Sequence, residues 1–364
     1  MMNPPTSKSK PLLFEAFPQL GHNVKWTHLV AAPTPVQKLE NLSKQLGTNL
    51  WVKQDDKTSP LYGGNKARKL EFLLADSLSQ GKRTLITGGG LGTNHGLATA
   101  IFGRSLGFRV MLGLFDQPVT EHVRRNLLLF YVHGAELLYA GPLWKAVIRF
   151  YVTERIRCPG AYFIEPGGSS PLGVLGYVDA GLELARQVEH GEMPMPKLIF
   201  VPVGTCGTMA GLVLGLKLSG LPTKVIGVQV APGLFASSRA VLRLAQKTLK
   251  LLQNNDSGVP EIKLAAQDVP VNTDYYGKGY GHPTEAGLAA LHLMAETESI
   301  TLDLTYTAKA FGALLDYIKS HSTEEPILFW NTFNSVDLSP GLKKTSYESL
   351  PRSFHRFFEG QVVA

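Results

Sequence analysis

Repeatedly along this chain a short apolar or β-branched run passes through a glycine-bearing junction into a helical pattern. The runs are "TLITGG" into "NHGLATAIFGRSLG", "RVMLGLF" into "EHVRRNLLLFYV", and "KLIFVPVG" into "TMAGLVLGLKLSG". That alternation predicts an α/β architecture on parallel sheets, because a parallel connection needs a crossover element, usually a helix. Such sheets bind ligands beyond the carboxyl ends of their strands, where helix N-termini also point. The glycine-rich junctions are therefore where function is to be sought. With 364 residues, of which 44% are hydrophobic, the chain has apolar material for two domains.

The charge pattern narrows the function classes. A net charge of +7 is compatible with anionic partners. Its lysines and arginines are scattered, however, whereas a nucleic-acid surface needs them clustered and interleaved with aromatic residues. The two cysteines, Cys158 and Cys206, lie far apart with no metal-ligand spacing, which fits a reducing cytoplasm and neither a disulfide framework nor a metal site. The opening "MMNPPTSKSKPLLFEAFPQL" lacks an uninterrupted apolar core and reads as a loose arm rather than a signal peptide. No apolar run is long enough to span a bilayer. Residues 237–253, "SSRAVLRLAQKTLKLLQ", alternate basic and apolar positions at helical spacing and read as a surface helix.

In "GGNKARKLEFLLADSL", Leu70, Leu73, Leu74 and Leu78 make one helical face and Asn65 is the candidate N-cap. Lys66 then falls in the first turn. There the helix dipole and any burial disfavour an ammonium, which would make the amine more nucleophilic. Arg68 and Lys69 read as solvated. The residues alone leave open whether Lys66 is a reactive amine or another solvated lysine. In "VPVGTCGTMAGL", Gly204 and Gly207 with Thr205 and Thr208 would cradle a phosphate through exposed amides, or would make a tight connection only. No Walker lysine follows and no dinucleotide fingerprint is complete, so a small phosphorylated cofactor suits the turn better than a nucleoside triphosphate or NAD. At the next junction Thr93, Asn94 and His95 could hold a carboxylate, and nothing pairs His95 with a nucleophile.

Taken together and in order, "LWVKQDD", "GGNKARKLEF", "GTNH", "EPGGSSPLGVLGY", "VGTCGTMAGL", "GYGHPTEAG" and "LDLTYTAKAF" resemble the pyridoxal-phosphate enzymes comprising D-cysteine desulfhydrase and 1-aminocyclopropane-1-carboxylate deaminase. The resemblance runs from "PTPVQKLENLSKQLG" to Leu328. It implies a tryptophan-synthase-β-like fold, fold type II: two open twisted mostly parallel sheets flanked by helices. The larger domain would take residues 1–68 and 170–364, the smaller residues 69–169, and pyridoxal 5'-phosphate would lie in the cleft between them.

By the same resemblance Lys66 bears the cofactor, the glycines before it let backbone approach the cofactor, and Asn65 starts the helix. Asn94 would contact the pyridoxal 3-oxygen, and Gly204, Thr205, Cys206, Gly207 and Thr208 would form the phosphate cup. Thr307 would face the pyridine nitrogen, as in the desulfhydrase branch, where the deaminase branch carries glutamate. His95 also matches the desulfhydrase branch, while Thr93 stands where relatives have serine. Thr93, Asn94, His95 and Tyr280 would bind substrate. A larger departure is "NTFNS", where relatives show His-Thr-Gly-Gly; at Phe333 and Asn334 side chains replace both glycines and fill space.

The implied reaction is an α,β-elimination on a small amino acid, giving a 2-oxo acid, ammonia and the leaving group. Lys66 would take the Cα proton, Thr93 would assist, and Tyr280 or Tyr306 would protonate the leaving group. Ring-opening of the cyclopropane amino acid, another lyase, dehydratase or racemase of the fold, and a cofactor-binding protein without turnover are the alternatives. The resemblance implies a homodimer with no metal, nucleic-acid or membrane partner.

Overall fold

The computed structural model describes residues 10–321, 323–343 and 345–363. Its strands are β1 (Val36–Lys38), β2 (Leu50–Gln54), β3 (Thr84–Gly90), β4 (Arg109–Phe115) and β5 (Glu136–Gly141). They continue with β6 (Tyr162–Ile164), β7 (Leu198–Val203), β8 (Lys224–Gln229), β9 (Val271–Asn272) and β10 (Ile327–Asn331). The helices begin with α1 (Leu12–Ala16), α2 (Leu20–Asn23), α3 (Glu40–Leu46), α4 (Lys66–Ser79), α5 (Asn94–Ser105), α6 (Glu121–Val132) and α7 (Leu143–Ile148). After them come α8 (Glu154–Arg157), α9 (Pro171–Glu189), α10 (Gly207–Ser219), α11 (Ser238–Asn255), α12 (Glu285–Glu298), α13 (Thr307–Ser320) and α14 (Arg356–Glu359).

The strands make two sheets, one in the order β1-β2-β10-β7-β8-β9 and one in the order β5-β4-β3-β6. Every pair is parallel except the edge pair β1–β2. The expected fold class is what the structure shows, and its cause is visible strand by strand. In β7, Ile199 and Val201 enter the core beneath α9, α10 and α11, while Leu198 and Phe200 enter the core beneath α3, α12 and α13. β10 divides in the same way, Leu328 and Trp330 against Ile327 and Phe329. Period-two alternation with both faces apolar is what a doubly covered parallel sheet requires. Pro202 is tolerated because β10 pairs with β7 only through Phe200 and leaves the proline beyond the ladder on that side.

The smaller sheet buries Leu85, Val110 and Leu112 against Leu70, Leu73, Leu97, Phe102 and Phe130 of α4, α5 and α6. Two expectations change here. The C-terminal segment belongs by packing to the smaller sheet rather than the larger one, because Leu350 and Phe354 join its core. Residues 1–9 of the expected loose arm lie outside the described residues, but the arm is helical from Leu12. Leu13 and Leu20 are fully buried, and the Leu13 amide donates to Asp179 Oδ1 at 2.8 Å. α11 is the surface helix expected, with Val241, Ala245 and Leu252 inward and Arg239, Arg243, Lys247 and Lys250 outward.

α4 departs most from its amphipathic reading. Leu70, Leu73 and Leu74 are buried as expected and Leu78 is exposed, but Arg68 and Lys69 are 2% and 1% exposed rather than solvated. Arg68 lies in a balanced group of two cations and two anions. Its guanidinium donates to Asp55 Oδ1 at 2.8 Å and to both carboxylate oxygens of Glu183 at 3.0 Å, while Lys53 also pairs with Glu183. Asp55 Oδ2 further accepts from the Tyr177 hydroxyl at 2.6 Å and from Trp330 Nε1 at 2.7 Å. Burial alone would raise the Glu183 carboxyl, but Arg68 and Lys53 outweigh it and hold the group well below its usual range. The group ties α4 to β2, α9 and β10. Desolvation offsets most of its Coulomb energy, so its value lies in being complete. Glu183→Gln should therefore cost about 3–5 kcal/mol, read as a lower urea midpoint, because it leaves a buried cation in excess. A midpoint within error of the parent would show the group to be dispensable.

Candidate active site

The carboxyl ends of β2, β3, β7 and β10 release the segments that lead to α4, α5, α10 and the loop 332–335, and all four contribute to one cavity of about 460 Å³. Lys66, Thr93, Asn94, His95, Tyr280, Tyr306 and the whole turn Gly204–Thr208 line it, as does Asn65. Lys66 opens α4, and burial pushes its amine down to about 8 against the opposing pull of Asp303. An amine with that value has an appreciable unprotonated fraction near neutral pH.

The local reasons differ from those expected at two residues of the "GGNK" run. Asn65 occupies the N-cap position but makes no side-chain cap; its Nδ2 instead donates to Thr208 Oγ1 at 3.0 Å and so joins the start of α4 to the start of α10. Gly64 is required by its own loop. It has φ +91°, and a Cβ there would lie 2.8 Å from the Thr332 carbonyl and 2.9 Å from that of Phe333.

The β7–α10 turn is built to take an anion. Cys206 holds a left-handed φ of 67° without being glycine, which aims the first amides of α10 into the cavity. Its thiol donates to the Phe235 carbonyl, and burial pushes it up to about 11, so the residue serves through its backbone. Lys69, one turn after Lys66, reaches the same place: a Cβ on Gly207 would meet Lys69 Nζ at 2.7 Å and Ser169 Oγ at 2.6 Å. Ser169 bonds Thr205 Oγ1 at 2.8 Å. Burial, then the neighbouring Lys66, hold the Lys69 amine well below its ordinary value, a deficit that a bound anion would reverse. Sequence reading missed Lys69 and Ser169. The available signals were the i, i+3 spacing of Lys69 from Lys66 and the serine of the "EPGGSS" run.

On the facing junction Thr93 caps α5, accepting from the Gly96 amide at 3.2 Å, which leaves its hydroxyl proton free. Asn94 Oδ1 accepts from Asn126 Nδ2 at 3.2 Å, leaving its own Nδ2 as a donor. His95 is 3% exposed, and its Nε2 lies 3.0 Å from Thr87 Oγ1. The Thr87 hydroxyl already donates to the Ile164 carbonyl at 2.9 Å, so His95 Nε2 must carry the proton. Nδ1 is then a buried acceptor without a partner. Burial, then Lys66 and Lys69, hold the ring well below its ordinary value, so a neutral His95 offers a carboxylate its backbone amide and not its ring.

Tyr280 and Tyr306 share a short hydroxyl–hydroxyl hydrogen bond. Burial raises both, Tyr280 to about 12, so both are protonated at neutral pH. Thr307 does not line the cavity. It is fully buried at the start of α13, and its hydroxyl donates to Asp303 Oδ1 at 2.7 Å. The residue presented instead is Asp303, which accepts from the amides of Thr305, Tyr306 and Thr307 and fixes the turn that aims Tyr306. Phe333 lines the cavity with its ring centroid 6.2 Å from that of His122, whereas Asn334 lies outside the lining and accepts from the Gly63 amide at 2.7 Å.

Comparison with known proteins agrees with this fold. A family model described as pyridoxal-phosphate dependent enzyme matches residues 28–332. The D-cysteine desulfhydrase of Klebsiella pneumoniae (strain 342) is 36% identical over 314 residues, covering 84% of this chain and 92% of that protein. The D-cysteine desulfhydrase of Salmonella schwarzengrund (strain CVM19633) is 36% identical over 315 residues with the same coverage. Among solved structures, an ACC deaminase homologue superposes with a TM-score of 0.75 at 28% identity, covering 96% of this chain and 99% of that one. The processed form of threonine deaminase isoform 2 from Solanum lycopersicum has a TM-score of 0.59 at 18% identity, covers 98% of this chain and 90% of that one, and shares the fold.

The buried amine makes a pH prediction. Only the unprotonated amine attacks an acylating reagent, so in cofactor-free protein the labelling of Lys66, followed by peptide mass spectrometry, should rise with a midpoint near 8 rather than near 10.5. Asp303→Asn should move the midpoint further down, because it removes the charge that favours the ammonium. A midpoint above 10 would contradict the burial of this amine.

Proposed function

The chain belongs to the pyridoxal-phosphate-dependent enzymes, and on that premise we propose that it catalyses α,β-elimination on a small amino acid, D-cysteine being the reference substrate. The observation that carries the reading is that the Lys66 amine and the Gly204–Thr208 turn line one cavity. The residues present fit the cofactor. Lys66 would hold its aldehyde carbon. The cup amides with Lys69 and Ser169 would hold its phosphate, and Asn94 Nδ2 would reach a ring oxygen. Bound there, the cofactor supplies a conjugated electron sink for charge developing at the substrate Cα.

The remaining work belongs to the chain. The Thr93 hydroxyl and the first amides of α5, which have no acceptor within the helix, hold the substrate carboxylate. The Lys66 amine takes the proton from Cα, a task suited to a group whose value lies near 8. The protonated Tyr280–Tyr306 pair gives a proton to the departing sulfur. The balance is cysteine and water to pyruvate, ammonium and hydrogen sulfide. Ring-opening deamination of 1-aminocyclopropane-1-carboxylate is the second reading, favoured by the likeness to the ACC deaminase homologue. The proposal extends to a cytoplasmic homodimer. Both cysteines are free thiols, in keeping with that compartment, and sedimentation velocity at micromolar concentration tests the dimer.

Purified protein supplied with the cofactor should absorb in the visible and release pyruvate and sulfide from D-cysteine. Lys66→Ala should lower kcat/KM by about 10²–10⁴-fold or more. Normal turnover by that variant, or turnover of the cyclopropane amino acid with none of D- or L-cysteine, would overturn the elimination.

A further inference from the structure

Beyond the groups assigned above the cavity continues along an apolar floor, which begins at Phe115, its ring centroid 6.4 Å from that of Tyr280. Along the smaller sheet the lining includes residues two apart on each strand, Ile86, Gly88 and Gly90 of β3, Gly113 and Phe115 of β4, Leu138 and Ala140 of β5, with Gly89 joining them at the carboxyl end of β3. Spacing by two places all but Gly89 on one face. Gly88, Gly113 and Leu138 are direct neighbours across three strands. Two adjacent glycines in the middle of a sheet admit a close approach to the backbone, and Phe150 makes it, packing with Ile86 and Leu138 in one apolar cluster. Above this floor α7 contributes Leu143, Ala146 and Val147, followed by Phe150, whose ring would lie 3.5 Å from a Cβ on Gly88.

The polar groups at this end are engaged with each other. Arg149 Nε donates to Glu154 at 3.1 Å and its NH1 to the Tyr139 carbonyl at 2.8 Å, while Asp116 accepts from the Tyr139 hydroxyl. Large apolar side chains next to lining residues are exposed: Trp144, Val147 and Ile148 are 62%, 40% and 55% exposed on α7, and Leu234 and Phe235 are 82% and 39% exposed on the loop after β8. The cavity of about 460 Å³ would hold the cofactor at its Lys66 and Gly204–Thr208 side, and this apolar part is the remainder. Hydrogen sulfide leaving from cysteine would use none of this surface.

We propose that the substrate carries a neutral apolar group on its β-sulfur, as an S-alkyl or S-aryl cysteine does, and that this group lies between the apolar face of the smaller sheet and α7. The inference rests on the elimination proposed above and specifies its leaving group. The Cα–H and Cβ–S bonds break, the thiolate takes a proton from the tyrosine pair, and the balance is thioether amino acid and water to thiol, pyruvate and ammonium. No oxidant or reductant is required.

Two measurements on the cofactor-loaded enzyme separate this inference from the reading beneath it. Calorimetry compares 2-amino-4-phenylbutanoate with alanine, both enantiomers of each. Neither carries a β leaving group, so binding is read without turnover. Pyruvate release compares S-benzylcysteine with cysteine. The phenyl compound should bind at least tenfold more tightly, and S-benzylcysteine should have at least a tenfold higher kcat/KM, the discrimination one methylene gives in an apolar pocket. Leu143→Asp and Val147→Asp, each checked for folding by circular dichroism, should reduce both ratios at least fivefold. Equal binding of alanine, or equal or faster turnover of cysteine, overturns the proposal. Preferential phenyl binding with no pyruvate from either sulfur substrate leaves the apolar pocket standing and retires the elimination.

Discussion

The site depends on α4 being held at one depth and one rotation. Asp55, Arg68, Glu183 and Lys53 do this from beneath, with Tyr177 and Trp330 completing the hydrogen bonds. Because each charge is buried with its counter-charge, displacing the helix would expose an unpaired ion to apolar surroundings, a cost far above that of shifting a leucine face. With the helix fixed on one side by Arg68, the residues at 66 and 69 are directed to the other, where they meet the turn before α10.

Electrostatics then divides the cavity by task. At the β7–α10 turn the first amides of α10 supply positive potential, and Lys69, which donates to the Gly167 carbonyl at 3.1 Å and to Ser169 Oγ at 3.2 Å, is held below its ordinary value by burial and by Lys66. The Lys66 amine, depressed by burial, is neither locked as an ammonium nor wholly neutral, which suits a group that must both hold and exchange a proton. The tyrosines are pushed in the opposite sense and stay protonated. His95, neutral with its proton on Nε2, adds no charge. Burial is the common cause; the direction differs because ammonium and phenolate are the charged forms of opposite sign.

The motifs that were legible in sequence are those whose chemistry is local. A glycine-rich turn between a β-branched run and a helix announces both its backbone freedom and its position at the carboxyl end of a strand, as Gly204–Thr208 and Thr93–His95 do. What local pattern misjudged was the environment of side chains on α4. Arg68 and Lys69 look solvated because Glu183 and the turn at Gly207 are more than a hundred residues from them, and because Asp55, thirteen residues before Arg68, lies outside the helix whose periodicity was read. Thr307 misled for a related reason. Its hydroxyl had a partner four residues away, and that hydrogen bond withdrew it behind Asp303. The glycines at 63 and 64 were legible as necessary, but their cause, close contact with Asp56 and with the carbonyls of Thr332 and Phe333, was not.

By itself the sequence determined that this chain makes alternating parallel strands and helices, and that a lysine, a threonine–asparagine pair and a glycine–threonine turn stand at helix starts. Periodicity and turn chemistry are properties of a few consecutive residues, so they survive in one dimension. Tertiary structure alone decided which of those starts share a cavity, which charges are buried in pairs, in which direction each amine and phenol is displaced from its ordinary protonation, and that an apolar face of the smaller sheet lines the same cavity as Lys66. Each of these depends on distances between segments remote along the chain, and on the exclusion of water that only their packing produces.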